Sequence, residues 1–398
     1  MKYRAFLLKL ISDIRASYWF IPACLAGLAV ITARVLVWVE YENHWVSDLI
    51  PSSLNDTKIE DARLILSVIA QSIIGVTGVM FSVTMVAVSF ASGNFGPRLI
   101  ENFMRDRGNQ WSLGILIATF VFTLMVMRSI QGGASDGVDP FVPQMPIVVA
   151  MSLALLSVSV VIYFVHHVPE TINVSNISAG LGQGFCTQMA KTARKDATGA
   201  RKRAPKSATG ISLETNGYVQ RIDLTKISDI ADASDITIWI DRVPGDFVHS
   251  GQTALRCSSP LDEAQISALR ACFAIGSIKT EDQNLLFLAE QQVEMIARAL
   301  SPGVNDPFTA INCLNWLAAG LARGMQKGVS FGLHGSERVI LRPLEIEDVL
   351  DATFGAAFQY VEDDKMTKAA WAKILDDLQI SLEGDAQKKV NGWIESRA

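Results

Sequence analysis

The sequence predicts a membrane α-helical protein with four transmembrane helices, followed by a cytosolic α+β domain that contains a small β-barrel-like segment. Long uncharged apolar runs fill the first 170 residues, and short alternating strand patterns begin near residue 211. Charged residues make up 19% of the 398 residues, against about 25% in an average soluble protein. We therefore assign residues 1–169 to a transmembrane domain, 170–210 to an amphipathic helix and basic linker, and 211–398 to the cytosolic domain.

Four segments have the roughly 20 apolar residues that a helix needs to cross a hydrocarbon core of roughly 30 Å. The first has the basic start of a signal peptide but no small-residue cleavage site at its end, so we interpret it as an uncleaved span. In order, the segments run from about Ser17 to Val39, from Arg63 to Arg98, between Arg107 and Arg128, and between Pro140 and His166.

The distribution of Lys and Arg predicts the orientation of these spans. The N-terminus is basic, the first loop has one Lys against six acidic residues, and the second loop carries three Arg residues. The third loop has no Lys or Arg, and the segment from Lys191 to Lys206 has seven basic residues and one acidic residue. Basic loops remain on the cytosolic side, so both termini are expected to be cytosolic.

The second span is too long and carries a small, weakly polar stripe. Its uncharged run has 34 residues, about 51 Å as a helix at 1.5 Å per residue. Spacings of three, four and seven keep the stripe on one helical face. The stripe consists of Ser67, Gln71, Gly75, Gly78, Ser82, Ser89 and Gly93.

Two interpretations of this stripe stay open. Small residues allow helices to pack closely in lipid, and small polar groups also line water-filled pores. Both hold if the helix packs against its own copies around an axis. Charges inside the spans are few: Arg34 lies near the outer end of the first and Arg128 ends the third. No acidic residue lies at the midplane, which argues against an ion-coupled carrier.

The pattern after residue 211 predicts short strands and helices. G-Y-V-Q-R-I, D-I-T-I-W-I and A-C-F-A-I-G are typical of strands, and Asp223 is placed to cap a short helix. The string G-D-F-V-H-S-G-Q resembles a turn of the barrel-sandwich domains of lipoyl and biotinyl carriers, but no lysine is placed for acylation. A helix from Glu281 to Leu300, a strand pair around 329–342 and helices over 345–396 complete the prediction.

The turn S-P-G-V-N-D-P-F-T-A, residues 301–310, has two interpretations. Asp306 is a good N-cap and Pro307 suits the first helical position, so the turn is explained as the place where one helix ends and the next begins. Asn305 and Asp306 also offer polar groups for an interface or a ligand.

Few residues suggest chemistry. The five cysteines form no C-x-x-C pair, and no phosphate-binding loop, H-E-x-x-H motif or basic nucleic-acid face occurs. A membrane enzyme would need the interfacial residues His166, His167 and Glu170, and we treat it as a minor hypothesis. We expect no catalytic residues, no cofactor, no metal and no nucleic-acid partner.

The strings A-S-G-N-F-G-P-R-L-I-E-N-F-M-R-D-R-G-N-Q-W-S-L-G (residues 91–114) and A-L-S-P-G-V-N-D-P-F-T-A (residues 299–310) resemble a bacterial family of predicted membrane proteins, domain of unknown function 2254. The resemblance covers nearly the whole chain. It implies an inner-membrane protein and implies no activity.

Two functions remain as expectations. The first is an oligomeric channel whose axis is lined by the second span, with the cytosolic domain as a vestibule or regulator. The second is a membrane-anchored scaffold or sensor that binds a partner or small ligand through the turn at Asn305 and Asp306. The lipid bilayer and further copies of the chain are the expected partners, with an ion or a small ligand as the further candidate.

Overall fold

The chain forms two compact units that meet in sequence between Asn173 and Val174. A computed structural model describes residues 17–43, 57–95, 106–131, 141–195 and 204–397. We call the first unit the membrane domain and the second the C-terminal domain, and we describe each by itself.

The membrane domain contains four helices that are long and apolar enough to cross a membrane, as the sequence predicts. The last one continues past the predicted boundary at His166 and ends at Thr171, two residues after Pro169, whose missing N–H removes one hydrogen bond from the last turns. The helices are α1 (Phe20–Glu42), α2 (Ile59–Phe95), α3 (Arg107–Ser129) and α4 (Gln144–Thr171).

Helices α1, α3 and α4 pack closely together. At Gly114 of α3, an added Cβ would lie 2.7 Å from Leu25 Cδ1 and 3.3 Å from the Cα of Pro22, so only glycine allows this approach of α1. Helix α2 contributes Ala62 and Leu66 to the same core. Small residues therefore serve close packing inside this bundle.

Two carboxylates, the buried Glu40 and the half-buried Asp106, cap helices of the membrane domain. Glu40, which the sequence placed in the first loop, lies in the last turn of α1 and is only 3% exposed. It accepts hydrogen bonds from the backbone N–H groups of Gln144 (2.8 Å) and Met145 (3.0 Å) at the start of α4. Asp106 likewise accepts from the N–H of Asn109 at the start of α3 (3.0 Å). Each carboxylate satisfies N–H groups that a helix start leaves unpaired.

The C-terminal domain is α+β. Its helices are α5 (Val174–Thr192), α6 (Leu224–Ala233), α7 (Glu263–Arg270), α8 (Phe287–Ala299), α9 (Pro307–Met325), α10 (Ile346–Leu350), a π-helical turn (Asp351–Gly355), α11 (Ala356–Val361), α12 (Lys365–Ile380) and α13 (Gly384–Glu395). Its strands are β1 (Thr209–Ser212), β2 (Gly217–Ile222), β3 (Ile238–Ile240), β4 (Phe247–Val248), β5 (Thr253–Cys257), β6 (Phe273–Gly276), β7 (Ser330–Phe331), β8 (Val339–Leu341) and β9 (Leu344–Glu345).

The strands form open sheets, and the described residues do not close a barrel. The sheets have the orders β1-β5-β3-β8, β4-β2-β6 and β7-β9. The predicted strand pair around 329–342 is wrong in its pairing, because β7 pairs with β9 and β8 runs parallel to β3. The predicted barrel-like segment is therefore not confirmed, and an α+β domain is.

Residue types along the sequence predict one helix start of this domain correctly and another too early. Asp223 caps α6 by accepting from the N–H of Lys226 (3.1 Å), as predicted. The helix expected from Glu281 begins six residues later, at Phe287. Gln283 explains part of this delay, since its φ of 60° breaks a right-handed helix.

Helices α5, α8 and α9 form a tight layer. Ser178 of α5 is fully buried and is joined to Gln292 of α8, whose Nε2 donates to the Ser178 carbonyl (2.8 Å). At Gly182 of α5, an added Cβ would lie 2.5 Å from the Cβ of Trp316 in α9. Small residues and a buried amide thus set the distances in this layer.

Candidate functional site

The small, weakly polar stripe of α2 lies on the side of the helix that faces away from the bundle. The buried side of α2 consists of Ala62, Leu66, Ala70, Ile73, Thr77, Met80, Thr84 and Ala87. At about 100° per residue, this side is nearly opposite the stripe. Ser67 is half-buried, and the other stripe residues, Gln71, Gly75, Gly78, Ser82, Ser89 and Gly93, are exposed in the single chain.

The glycines of the stripe adjoin open space. A Cβ added at Gly75, Gly78 or Gly93 would meet nothing within 4 Å. Packing among the described residues therefore does not account for Gly75 and Gly78, in contrast to Gly114 of α3. The flanking side chains are large and apolar: Val68 is 55% exposed, Val79 64% and Val86 70%. These three valines lie along one side of the stripe, and the exposed Ile74 and Phe81 lie along the other. The glycines therefore form a shallow groove between apolar side chains.

The polar groups of the stripe are bonded along their own helix. Gln71 Nε2 donates to Ser67 Oγ (2.8 Å), and Ser82 Oγ donates to the carbonyl of Gly78 (2.9 Å). Such bonds reduce the cost of placing a hydroxyl or amide in lipid. Their oxygen atoms can still accept hydrogen bonds from water or from a neighbouring helix.

In the C-terminal domain, the turn at residues 301–310 separates the two predicted contact residues. Asp306 is used inside the chain: its carboxylate accepts from the Thr309 N–H (3.1 Å) and the Thr309 hydroxyl (2.5 Å). Asn305 is exposed and has a φ of 48°, the left-handed region that Asn tolerates better than most residues. Asn305 is thus the residue of this pair that a partner can reach.

Two apolar side chains flank Asn305. Val304 is 46% exposed and Phe308 is 71% exposed. Sequence reasoning singled out the polar pair and missed these two, although a phenylalanine in the first turn of a capped helix, on the side away from the core, is a readable signal. The turn presents an amide between apolar groups, as contact surfaces often do.

The structure links α3 and α4 through a pair that the sequence did not reveal. His167 Nε2 lies 2.8 Å from Asp106 Oδ2, and its ring stacks on Tyr163 with centroids 5.0 Å apart. His166 points elsewhere, with Nε2 3.4 Å from Glu170 Oε1. The residues of the minor enzyme hypothesis, His166, His167 and Glu170, therefore do not converge on one point.

The cysteines of the C-terminal domain are buried thiols. Burial raises the pKa of Cys257 and Cys272 to about 11 and that of Cys313 to about 12. Burial also raises the pKa of Cys186, and Arg323 lowers it in part. A reactive cysteine needs an accessible thiolate. Among the described residues, no group of three or more His, Cys, Asp or Glu side chains is arranged to hold a metal ion.

Comparison with known proteins identifies the family. The family described as "Predicted membrane protein (DUF2254)" matches residues 15–377. The chain belongs to this family. The resemblance carried by residues 91–114 and 299–310 is thereby confirmed, and a membrane protein with four apolar helices is what membership and structure together support.

Relatives of this DUF2254 protein occur in mycobacteria. It is 28% identical over 320 residues to the uncharacterized protein Rv1290c of Mycobacterium tuberculosis and, equally, to the uncharacterized protein Mb1321c of Mycobacterium bovis. Each match covers 77% of this chain and 60% of the relative, so the chain spans about three-fifths of the length of these relatives. No solved structure matches the chain.

Proposed function

We propose that this protein is an oligomeric channel of the bacterial inner membrane, with both termini in the cytosol and α2 lining the axis. The C-terminal domain would form a cytosolic vestibule or regulator, and no catalytic step is assigned to it. The observation that carries the proposal is the position of the stripe: its glycines meet open space on the side of α2 away from the bundle. A neighbouring copy would cover that groove.

Two further features support conduction over simple anchoring. The stripe contains an amide and hydroxyls whose oxygens can accept hydrogen bonds, as passive pores require. Helix α2 is 37 residues long, or about 56 Å at 1.5 Å per residue, which exceeds the hydrocarbon thickness. A lining helix of this length can continue a pore beyond the bilayer.

Crosslinking between copies tests the assembly. Cys24, the exposed cysteine of α1, is first replaced by Ser; the other four cysteines are buried. In that background, Gly78→Cys should form a disulfide-linked dimer in native membranes under mild oxidation. Ala87→Cys is the matched control, because Ala87 lies on the buried face of the same helix and is 6% exposed. If both variants, or neither, crosslink, the proposed axis is wrong.

Ion flux in proteoliposomes tests conduction. Gly78→Leu and Ser82→Leu should each abolish flux, whereas Gly78→Ala should retain most of it. Nothing lies within 4 Å of an added Cβ at Gly78, so a side chain there begins in open space in the single chain. A thermal unfolding scan of each variant separates lost flux from misfolding. Crosslinking through Gly78→Cys without any flux in the unsubstituted protein would refute the channel and leave an oligomeric scaffold.

The alternative is a non-conducting scaffold or sensor that binds a partner or ligand through the C-terminal domain. The exposure of Val304 and Phe308 around Asn305 favours this second function. Under it, Asn305→Ala combined with Phe308→Ser would cause the cellular defect of a deletion, and Gly78→Leu would not. The channel predicts the reverse order of effects.

A further inference from the structure

Arg34 is a charged residue within the first span, toward its outer end. It precedes the end of α1 at Glu42 by eight residues, about 12 Å along the axis at 1.5 Å per residue. Its side chain is exposed on the surface of the membrane domain. A charge at this depth is costly in lipid unless its side chain reaches the interface or finds a partner. The residues around Arg34 therefore indicate which kind of partner its guanidinium can bind.

Arg34 borders a cavity with an aromatic rim. The cavity has a volume of about 550 Å³. Arg34, Trp38 and Tyr41 are spaced by four and three residues and so share one face of α1. Tyr41 packs edge-on against Phe141, with ring centroids 5.4 Å apart. The principal lining residues are Arg34, Trp38, Tyr41, Ser129, Gln131 and Phe141.

Two aromatic side chains of the cavity are exposed on the surface of the membrane domain. Trp38 is 62% exposed and Tyr41 is 59% exposed. Tryptophan and tyrosine at such positions lie at the level of lipid headgroups, where one end of the ring is wet and the other apolar. Val35, also in the lining, is 49% exposed and offers an apolar surface beside the guanidinium.

Among the residues that the structure describes, none supplies a counter-charge to Arg34 in this cavity. No acidic residue is among its described lining residues. Glu40, the nearest carboxylate along α1, is buried and already accepts from the N–H groups of Gln144 and Met145. Arg63, a second cation of the membrane domain, donates to the carbonyl of Ile130 (3.4 Å). Of the three charged side chains Arg34, Glu40 and Arg63, Arg34 is therefore the one whose charge is available to bind an anion.

We propose that this cavity is a binding site for an anionic phospholipid, with the Arg34 guanidinium donating to its phosphate oxygens. A guanidinium matches phosphate with paired N–H donors. Trp38 and Tyr41 flank the glycerol region, Ser129 and Gln131 supply polar contacts at the headgroup, and the acyl chains lie along the exposed apolar surface of α1. An anionic lipid is preferred because a zwitterionic headgroup carries its own cation.

Native mass spectrometry of the full-length protein in detergent tests this site, with phosphatidylglycerol and phosphatidylcholine titrated as probes. The unsubstituted protein should retain phosphatidylglycerol in preference to phosphatidylcholine. Arg34→Gln should lower the affinity for phosphatidylglycerol by about tenfold or more, the usual effect of losing charge-assisted hydrogen bonds. Arg34→Lys, which keeps the charge without the paired donors, should cause a smaller loss.

Arg128→Gln is the matched control, because Arg128 is exposed near the end of α3 but does not line the cavity. It should leave lipid retention unchanged. Equal retention by Arg34→Gln and the unsubstituted protein, or equal loss in Arg128→Gln, would overturn the proposal. Inorganic phosphate is the last probe: if it binds in an Arg34-dependent manner and phosphatidylglycerol does not compete, the ligand is a free anion and the lipid site is refuted. A thermal unfolding scan of each variant excludes misfolding.

Discussion

Helices α2 and α5 each carry several glycines, and the surroundings of Gly182 in α5 are opposite to those of Gly75 and Gly78 in α2. At Gly182 of α5, an added Cβ would meet the Trp316 side chain at 2.5 Å, whereas at Gly75 and Gly78 of α2 it would meet nothing within 4 Å. At Gly182 the missing side chain is matched by a partner within the C-terminal domain. At Gly75 and Gly78 no described residue fills the space, and this difference is the basis for proposing that a second copy of the chain covers that face.

The largest expected effect distinguishes two glycines of the same helix. Gly182→Ala should destabilise the C-terminal domain by about 1–3 kcal/mol, because the new methyl group overlaps Trp316 in a well-packed layer. Gly180→Ala, two residues earlier and open to solvent, should instead stabilise the helix by about 0.5–1 kcal/mol. Thermal unfolding of the purified full chain measures both.

Gly78→Ala on α2 extends this test to the membrane domain. In the single chain it should behave like Gly180→Ala and cause no loss of stability. Destabilisation by Gly180→Ala equal to that by Gly182→Ala would break the comparison, since it would show that open and filled positions respond alike.

The sequence predicted the features that depend on neighbours along the chain. The four spans follow from apolar length, and the caps at Asp223 and Asp306 follow from residue type and position. The stripe on α2 follows from spacing alone. Which side of α2 faces the bundle did not follow, because in lipid both sides are largely apolar and hydropathy does not separate them.

Contacts between residues far apart in the chain could not be predicted either. Glu40 caps α4 across 104 residues, and Asp106 meets His167 across 61. Strand β8 joins β3, 101 residues earlier by the pairing of Ile238 with Val339, rather than the adjacent β7. Such pairings are decided by tertiary packing, and a single sequence contains no direct record of them.

A smaller effect is expected at the turn, where Asp306 is used within the chain and Asn305 is open. Asp306→Ala should cost about 1 kcal/mol, because it removes the carboxylate that caps α9. Asp306→Asn should restore most of this, since Asn is also a good N-cap. Asn305→Gly should leave stability equal or slightly higher, because glycine adopts a positive φ without strain. A stability loss at Asn305→Gly larger than that at Asp306→Ala would show that Asn305 also has a partner within the chain.

The smallest effect at neutral pH, and the last contrast between buried and open positions, concerns the thiols. Burial raises the pKa of Cys257, Cys272 and Cys313 to about 11, 11 and 12, so these thiols should not react with iodoacetamide in the native protein at pH 8 but should react after unfolding.

The same shifts predict how stability changes with pH. The unfolded thiols ionise near their ordinary pKa of 9.0, whereas the folded ones retain their protons. The contribution of these buried thiols to the free energy of unfolding is therefore fully present below pH 9. It is lost as the pH rises through the pKa values of the folded thiols.

The triple variant Cys257→Ala, Cys272→Ala, Cys313→Ala is the control, because it removes these groups while lysines and tyrosines titrate as before. Its free energy of unfolding should decline less steeply between pH 9 and 11 than that of the unsubstituted protein. Equal slopes would mean that the three thiols ionise alike in the folded and unfolded states, and hence that water reaches both the core around Cys257 and Cys272 and the layer in which α5 and α9 pack around Cys313. In that case the contrast between the filled glycine positions of the C-terminal domain and the open ones of α2 would no longer hold.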